Sequence, residues 1–236
     1  MTHHASRITL MFKRLWHKVV RFGFRLLYNE LAWTYDTVSW LVSLGQWRAW
    51  QRAALPFIHG GRVLELGHGP GHMLLALGAA GYEAIGLDLS PHMGRLARRR
   101  LGRAGMGASL IRGQGQALPF ALAAFDTIVA TFPTDYIVDP ATLAAVYRGL
   151  RPAGRLVIVP EGHLIGRGPH HRFIDWLFRI TGQRSGPFAV DDKRYWPDEA
   201  TWLAFRQRFL AAGFDAEIHH IRLTRSGVTV VVAIRE

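Results

Sequence analysis

The sequence predicts an α/β protein with a doubly wound, seven-stranded and mostly parallel sheet, preceded by a helical cap. A buried strand at 63–66 breaks at closely spaced glycines and leads directly into a helix. A second apolar strand at 84–88 ends in Asp88. Apolar strands then continue to alternate with helical patterns, which is typical of a parallel sheet covered by helices on both faces.

The order of the elements follows from the period of the apolar residues and from the turn residues between them. The turn at 224–227 is too short for a crossover connection, so the last two strands must be antiparallel. Strands are expected at about 62–66, 84–88, 108–112, 125–130, 155–160, 216–223 and 228–234. Helices are expected at about 71–80, 91–103, 140–150 and 198–212.

Composition indicates a cytoplasmic protein, with contact to a membrane surface as the alternative. The 236 residues, 49% of them hydrophobic, are enough for a full core. The absence of cysteine excludes a disulfide framework, a thiolate zinc site and a cysteine nucleophile. Arginines interrupt every stretch that could otherwise span a membrane.

Residues 1–58 are expected to form a basic amphipathic helix and a helical cap, ahead of the main domain at 59–236. The formal net charge of +12 favours anionic partners. Within 8–28, one helical face is basic and the opposite face is apolar, as in a helix that lies on an anionic membrane surface. Docking of the apolar face on the domain or on a partner subunit is an equal alternative, and nucleic acid ranks third. The two faces are Arg14, His17, Lys18, Arg21 and Arg25, and Phe12, Leu15, Trp16, Val19, Phe22 and Leu26.

Charge distinguishes between the two cofactors that such a glycine turn can bind. A dinucleotide places its pyrophosphate on a helix N-terminus through glycines spaced G-x-G-x-x-G. Here His72 stands where the third glycine would be, and Glu65 would bring negative charge to the pyrophosphate. S-adenosylmethionine has an ammonium and a sulfonium and no phosphate, so Glu65 favours it. A strand–turn–helix without a ligand is the remaining alternative.

Further motifs resemble the class I S-adenosylmethionine-dependent methyltransferases from about residue 62 to the end of the chain. Residues 113–120 are similar to the adenine-loop motif G-D-A-x-x-L-P-F of that family, with Gln114 in place of the acid. A glutamine can still accept a hydrogen bond from the adenine amino group. Residues 125–131 resemble the fourth strand of the family, and 147–156 resemble the entry to the fifth. The resemblance implies a Rossmann-like methyltransferase fold.

Residues 30–58 resemble the N-terminal segment of the C-methyltransferases of ubiquinone and menaquinone biosynthesis, which begins with A-x-x-Y-D. That segment covers the cofactor in related enzymes, which implies that Tyr35 lies near the methionine end. Two stretches differ from the family: His72 stands where it has an acid, and 131–136 replaces an asparagine-containing segment. The tryptophans Trp40, Trp47 and Trp50 are expected in the core of the cap.

The resemblance also implies the cofactor contacts. Glu65, Gly67, Gly69 and Gly71 are expected to form the loop at the methionine end, and Asp88 to bind the ribose hydroxyls. Leu89 and Met93 are expected against adenine, Gln116 and Ala117 at its edge, and Thr131 at the end of the fourth strand. A second set of arginines is expected on a solvated helix surface: Arg95, Arg98, Arg99, Arg100 and Arg103.

The long connection at about 161–197 is expected to form a lid over the methyl acceptor. Its apolar and aromatic residues suit a lipophilic acceptor that enters from a membrane. Methyl transfer from a sulfonium is a direct in-line displacement, which needs alignment and removal of a proton from the acceptor. The candidate bases are His163, His170, His171, Tyr136 and Asp135. No metal is expected, because two adjacent histidines cannot easily bind one ion.

Three functions follow from these observations. The first is methylation of a small, lipophilic acceptor that resembles a quinone precursor. The second is N-methylation of a phospholipid at a membrane surface. The third is a non-catalytic scaffold that keeps the cofactor fold.

Overall fold

The computed structural model describes residues 34–107, 109–165 and 199–236. Over these residues the protein is an α/β fold built on a single mixed sheet, as predicted. The strands are β1 (Arg62–Leu66), β2 (Glu83–Asp88), β3 (Ser109–Arg112), β4 (Phe125–Thr131), β5 (Leu150–Val159), β6 (Gly162–Leu164), β7 (Phe214–Arg222) and β8 (Ser226–Arg235). The helices are α1 (Tyr35–Ser43), α2 (Trp47–Arg52), α3 (His72–Ala79), α4 (Pro91–Arg103), α5 (Pro140–Gly149) and α6 (Glu199–Ala211), with short 3₁₀ helices at Leu55–Phe57 and Asp135–Val138.

The sheet has the predicted topology. Strands β3, β2, β1, β4 and β5 lie side by side in that order and are parallel. Strand β8 is antiparallel to β5, and β7 pairs antiparallel with the outer edge of β8. Chain order reverses between β1 and β4, so the loops after these two strands open a crevice at the carboxyl edge of the sheet. Ligands of open α/β folds bind at such a switch point.

An eighth strand lies where the sequence predicted only the beginning of a lid. The short β6 pairs with 226–228 of β8, beyond the stretch of β8 that pairs with β5. Gly162 makes this possible, because a Cβ on it would lie 2.3 Å from the ring of Trp50 in α2. The strand therefore packs directly against the cap. Residues 166–197 of the predicted lid lie outside the described residues.

Apolar side chains cover both faces of the sheet. One core joins the sheet to α5 and α6 through Phe125, Ile128, Leu143 and Phe209, each of which is almost completely buried. The other core joins it to α2 and α3 and includes Trp50, Val63, Met73, Val157 and Val230. Because α2 shares this second core, the cap packs against the same face of the sheet as α3.

The three cap tryptophans differ in exposure. Trp50 is 1% exposed, as expected for a core residue. Trp40 is 62% exposed, so the prediction that it lies in the core is wrong. It lies on the outer side of α1 together with the exposed Leu41, and its indole packs over Gly45. Helical periodicity in a helix of nine residues is too short a signal to fix which face is buried.

The predicted amphipathic helix at 8–28 lies outside the described residues. Among the helices of the described ranges, none combines the length and the apolar character needed to cross a bilayer.

Candidate cofactor and active site

The glycine loop 67–71 connects the carboxyl end of β1 to α3. Gly67, Gly69 and Gly71 all have left-handed backbones, with φ of +68°, +49° and +83°. A Cβ on Gly67 would lie 2.9 Å from the Tyr136 hydroxyl, and one on Gly71 would lie 2.9 Å from the Cβ of Ala97. At Gly69 no atom of the described residues lies within 4 Å of the Cβ position. The middle of the loop therefore faces open space, where a ligand can approach the backbone.

Glu65 lies at the floor of the crevice, near the carboxyl end of β1. Its side chain is completely buried, and neither carboxyl oxygen accepts a hydrogen bond of normal geometry from a described residue. Burial, and then the nearby charge of Asp88, raise the pKa of Glu65 well above its usual value, while the Leu74 backbone N–H opposes the shift. A buried carboxylate without a partner is costly, so this position favours a cationic group.

Asp88 fixes the glycine loop from the neighbouring strand. Its Oδ2 accepts a hydrogen bond from the Gly69 N–H at 2.9 Å, and its Oδ1 accepts one from the Ser90 N–H at 2.7 Å. Each oxygen keeps further acceptor capacity for a ligand hydroxyl. His68, buried beneath the loop, donates from Nδ1 to the Gly69 carbonyl at 2.7 Å, and burial lowers its pKa.

The predicted adenine contacts differ in how open they are. Leu89 is 57% exposed and Ala117 is also exposed, so both can cover a ligand. Gln116 is half-buried, and its Nε2 donates to Asp139 Oδ2 at 3.4 Å. Met93 is completely buried in α4, so it reaches a ligand only if neighbouring side chains move.

Tyr136 lies between the glycine loop and the adenine loop. Its hydroxyl donates to the Leu66 carbonyl at 3.4 Å, and its ring lies 3.2 Å from the position of a Cβ on Gly115. This packing makes Tyr136 a wall of the crevice between the two loops. The neighbouring Asp135 is exposed to solvent.

The end of β4 is bound to the cap. Thr131 is buried, and its hydroxyl accepts a hydrogen bond from Gln51 Nε2 at 3.0 Å. The next residue, Phe132, has a left-handed backbone with φ of +51°, which a bulky side chain rarely adopts. Its ring stacks on Trp47 of α2 with centroids 3.9 Å apart, and its N–H donates to the Val159 carbonyl at 2.7 Å. Strained residues of this kind often occur at functional sites.

A second connection joins the cap to the glycine loop. Asp36, in the first turn of α1, accepts a hydrogen bond from His72 Nε2 at 2.8 Å and also pairs with the Arg100 guanidinium. Arg100 in turn donates to the Pro70 carbonyl within the loop. Arg100 is only 22% exposed, so the expectation that it lies on a solvated surface is wrong. The other four arginines of that set are exposed.

The remaining candidates have the following positions. Tyr35 is the first residue of α1, next to Asp36. His163 lies on β6, where burial and then His220 lower its pKa to about 4. His170 and His171 lie outside the described residues. Within the described ranges, no group of three or more His, Asp or Glu side chains is placed to bind a metal ion.

The geometry fits S-adenosylmethionine. An unpaired buried carboxyl and a second acid, Asp88, lie beside the glycine loop, and two acids would repel a pyrophosphate. The open face at Gly69 leaves room for a ligand against the backbone.

Comparisons with known proteins agree with this geometry. A family profile described as a methyltransferase domain matches residues 63–154. The demethylmenaquinone methyltransferase of Thermus thermophilus is 31% identical over 206 residues, which cover 80% of this chain and 91% of that protein. The ubiquinone/menaquinone biosynthesis C-methyltransferase of Geotalea uraniireducens is 29% identical over 223 residues, covering 87% of this chain and 93% of that protein.

Solved structures share the fold. An S-adenosylmethionine-dependent methyltransferase from Methanococcus maripaludis has a TM-score of 0.57 and 19% identity, covering 85% of this chain and 90% of that one. One from Thermotoga maritima has a TM-score of 0.56 and 16% identity, covering 94% of this chain and all of that one. The chain is an S-adenosylmethionine-dependent methyltransferase of class I, and it belongs to the family of the quinone-biosynthesis C-methyltransferases.

Proposed function

We propose that this methyltransferase methylates a small, lipophilic acceptor that resembles a quinone precursor. The observation that carries the proposal is the aromatic wall of Trp47 and Phe132, which lies at the end of β4 beside the crevice. Relatives over most of the chain are named for quinone methylation, which supports the same acceptor class.

On the donor side, the buried carboxyl of Glu65 binds the ammonium of the methionine moiety. The glycine loop brings its backbone against the same end of the cofactor, with Tyr35 close by. Asp88 accepts hydrogen bonds from the ribose hydroxyls. Leu89, Gln116 and Ala117 surround adenine, Met93 reaches it when neighbouring side chains move, and Thr131 closes the site from β4. The cofactor supplies a methyl group that is already activated, so the protein contributes mainly alignment.

On the acceptor side, Phe132 and Trp47 stack on each other, and the outer face of this pair suits an aromatic ring. Aromatic pairs of this kind stabilise an offset-stacked neighbour. Phe132 is fixed by its bond to Val159 and by the stack on Trp47, so the surface is held in place before the acceptor binds.

The acceptor must also lose a proton if a phenol or an activated ring carbon is methylated. Tyr136 donates to a backbone carbonyl and has a role as a wall, and Asp135 is exposed. His163 is therefore the remaining candidate base within the described residues. Its pKa of about 4 leaves it neutral near pH 7 but makes it a weak proton acceptor, so it serves as the base only if the bound acceptor raises this pKa.

A membrane surface is the proposed source of the acceptor. The sequence of residues 8–28 supports this through its basic and apolar faces. The helix α1, which follows that segment in the sequence, exposes the apolar side chains of Trp40 and Leu41.

Transfer of a radiolabelled methyl group tests the acceptor class. We expect product from a reduced, prenylated naphthoquinone that lacks the ring methyl, and none from phosphatidylethanolamine or phosphoethanolamine. Preferred methylation of phosphatidylethanolamine would favour phospholipid N-methylation, and preferred methylation of phosphoethanolamine would favour a hydrophilic amine acceptor. Binding of S-adenosylmethionine without transfer to any lipophilic acceptor would contradict the proposal.

Trp47→Ala should raise the KM for the quinol about tenfold, because one face of the acceptor surface is lost. The Kd for S-adenosylmethionine, measured by calorimetry, should change less than twofold. Leu203→Ala is the control, since it removes an exposed apolar side chain from α6, outside the cap, and should leave both constants unchanged. An unchanged KM in Trp47→Ala and in the milder Trp47→Leu would contradict this acceptor surface.

A further inference from the structure

Three segments that are distant in sequence meet at one carboxylate. Asp36 belongs to the cap helix α1, His72 begins α3 directly after the glycine loop, and Arg100 lies in the last turn of α4. Asp36 Oδ1 accepts from His72, and Asp36 Oδ2 pairs with Arg100. Arg100 also donates to the Pro70 carbonyl. The bridge therefore binds the glycine loop at Pro70 and also binds His72, the residue that directly follows the loop.

We propose that Asp36 is a positioning residue that holds the glycine loop in its cofactor-binding shape and couples this shape to the seating of the cap. The inference rests on the donor site proposed above. Asp36 itself does not contact the cofactor in this proposal; it acts through His72 and Arg100.

The loop needs such a constraint because glycine gives its backbone unusual freedom. Three of its five residues are left-handed glycines, and each has many alternative conformations in an unconstrained chain. From the sheet side, the loop is held at Gly67 by the Leu87 carbonyl and at Gly69 by Asp88. On the helix side, the Leu75 N–H donates to the Gly71 carbonyl, and the bridge adds bonds at Pro70 and at His72, which directly follows the loop. A loop whose backbone is already ordered before the ligand binds loses less conformational entropy on binding.

Charge explains why the centre of the bridge is an acid. Arg48 of the cap and Arg103 of α4 both lie close enough to Arg100 to act on its charge. The hydrogen bond from His72, and then the charges of His72 and Arg100, hold the pKa of Asp36 below its usual value despite partial burial. Asp36 is therefore ionised near pH 7, and it is the anion that offsets this group of arginines. Without it, Arg100 would face two like charges and would be expected to leave the loop.

Calorimetry with two ligands distinguishes positioning from a simple charge effect. S-adenosylmethionine carries a sulfonium charge that S-adenosylhomocysteine lacks, whereas both contact the same loop. Asp36→Ala should raise the Kd of both ligands by about tenfold, as expected for lost bonds to charged groups. Asp215→Ala removes an exposed carboxylate, paired with Arg206 on the far side of the sheet, and should leave both Kd values unchanged.

The partner residue provides a second test that does not depend on Asp36 variants folding. His72→Ala should weaken both ligands about fivefold, and His72→Gln should restore binding to within twofold of the wild type, because its amide can still donate to Asp36. The double variant Asp36→Ala/His72→Ala should bind no more weakly than Asp36→Ala alone, since both changes break the same bridge. Amide hydrogen exchange at 67–72 should be faster in Asp36→Ala than in Asp215→Ala.

Three results would overturn the inference: weaker binding of S-adenosylmethionine alone, additive losses in the double variant, or unchanged loop exchange. The wild-type protein is titrated with both ligands in the same experiment. If it binds neither ligand, the proposed donor site is wrong; if it binds both, an unexpected result in the variants counts against the bridge alone.

Discussion

Glu65→Gln is expected to weaken binding of both S-adenosylmethionine and S-adenosylhomocysteine by on the order of 100-fold, because the buried ammonium of either ligand loses its counter-ion. The side chain keeps its size and an acceptor oxygen, so the shape of the crevice is preserved. Without ligand, Glu65→Gln should be at least as stable as the wild type above neutral pH. Its buried carboxyl accepts no hydrogen bond of normal geometry from a described residue, so an ionised form there opposes folding.

The dependence of stability on pH gives an independent measure of the same group. Folding raises the pKa of Glu65 above its usual 4.5, so the folded state holds this proton more tightly than the unfolded state. The free energy of unfolding of the ligand-free protein should therefore fall as the pH rises from about 4.5 through the folded pKa. Thermal melts of Glu65→Gln should lack this part of the decrease.

Ligand binding should reverse the shift, because an ammonium next to Glu65 favours the carboxylate. Binding below the folded pKa is then expected to release a proton, measured by calorimetry in buffers of different ionisation enthalpy. Glu65→Gln should release less. Equal affinity and equal proton release in the two proteins would contradict a contact between Glu65 and the ammonium.

The parts of the site that were predicted from the sequence depend on short patterns of neighbouring residues. Glycines at 67, 69 and 71 after a short apolar strand indicate a turn into a helix whatever the rest of the chain does. Glu65 and Asp88 end neighbouring parallel strands, so their proximity follows from the alternation of strands and helices alone. The predicted bounds of β1 and α4 are those of the structure.

The parts that the sequence did not predict depend on contacts between distant residues. Asp36 is 36 residues from His72 and 64 residues from Arg100, and no periodicity connects these positions. Arg100 shares a helix with four exposed arginines, so charge alone indicated that it was solvated. One signal in the sequence was that His72 stands where the resembling methyltransferases have an acid. A histidine can donate a hydrogen bond to Asp36, whereas an acid at this position would repel it. The burial of Met93 likewise depends on how α4 packs, which a helical pattern does not specify.

Alanine at two glycines of the same loop should separate folding from cofactor binding. Gly71→Ala should destabilise the protein by about 3 kcal/mol, from a left-handed backbone and from overpacking. Its new methyl would lie 2.9 Å from the Cβ of Ala97 and 3.1 Å from its Cα, so α4 would have to shift. Such a loss corresponds to a decrease in Tm of roughly 6–12 °C for a chain of this size.

Gly69→Ala should instead weaken cofactor binding while destabilising the protein only slightly. Its backbone has φ of +49° and no described atom lies within 4 Å of the new Cβ, so the cost is only about 1 kcal/mol of left-handed strain, or roughly 2–4 °C in Tm. The methyl would project from the open middle of the loop, where the cofactor approaches the backbone, and should raise the Kd by at least about tenfold. Gly81→Ala is the matched control: its φ is +87° with equally open surroundings, and it follows the end of α3 that lies away from the loop, so it should show the small decrease in Tm without the change in Kd. If Gly69→Ala bound S-adenosylmethionine as tightly as Gly81→Ala, the open face of the loop would not be the place where the cofactor lies.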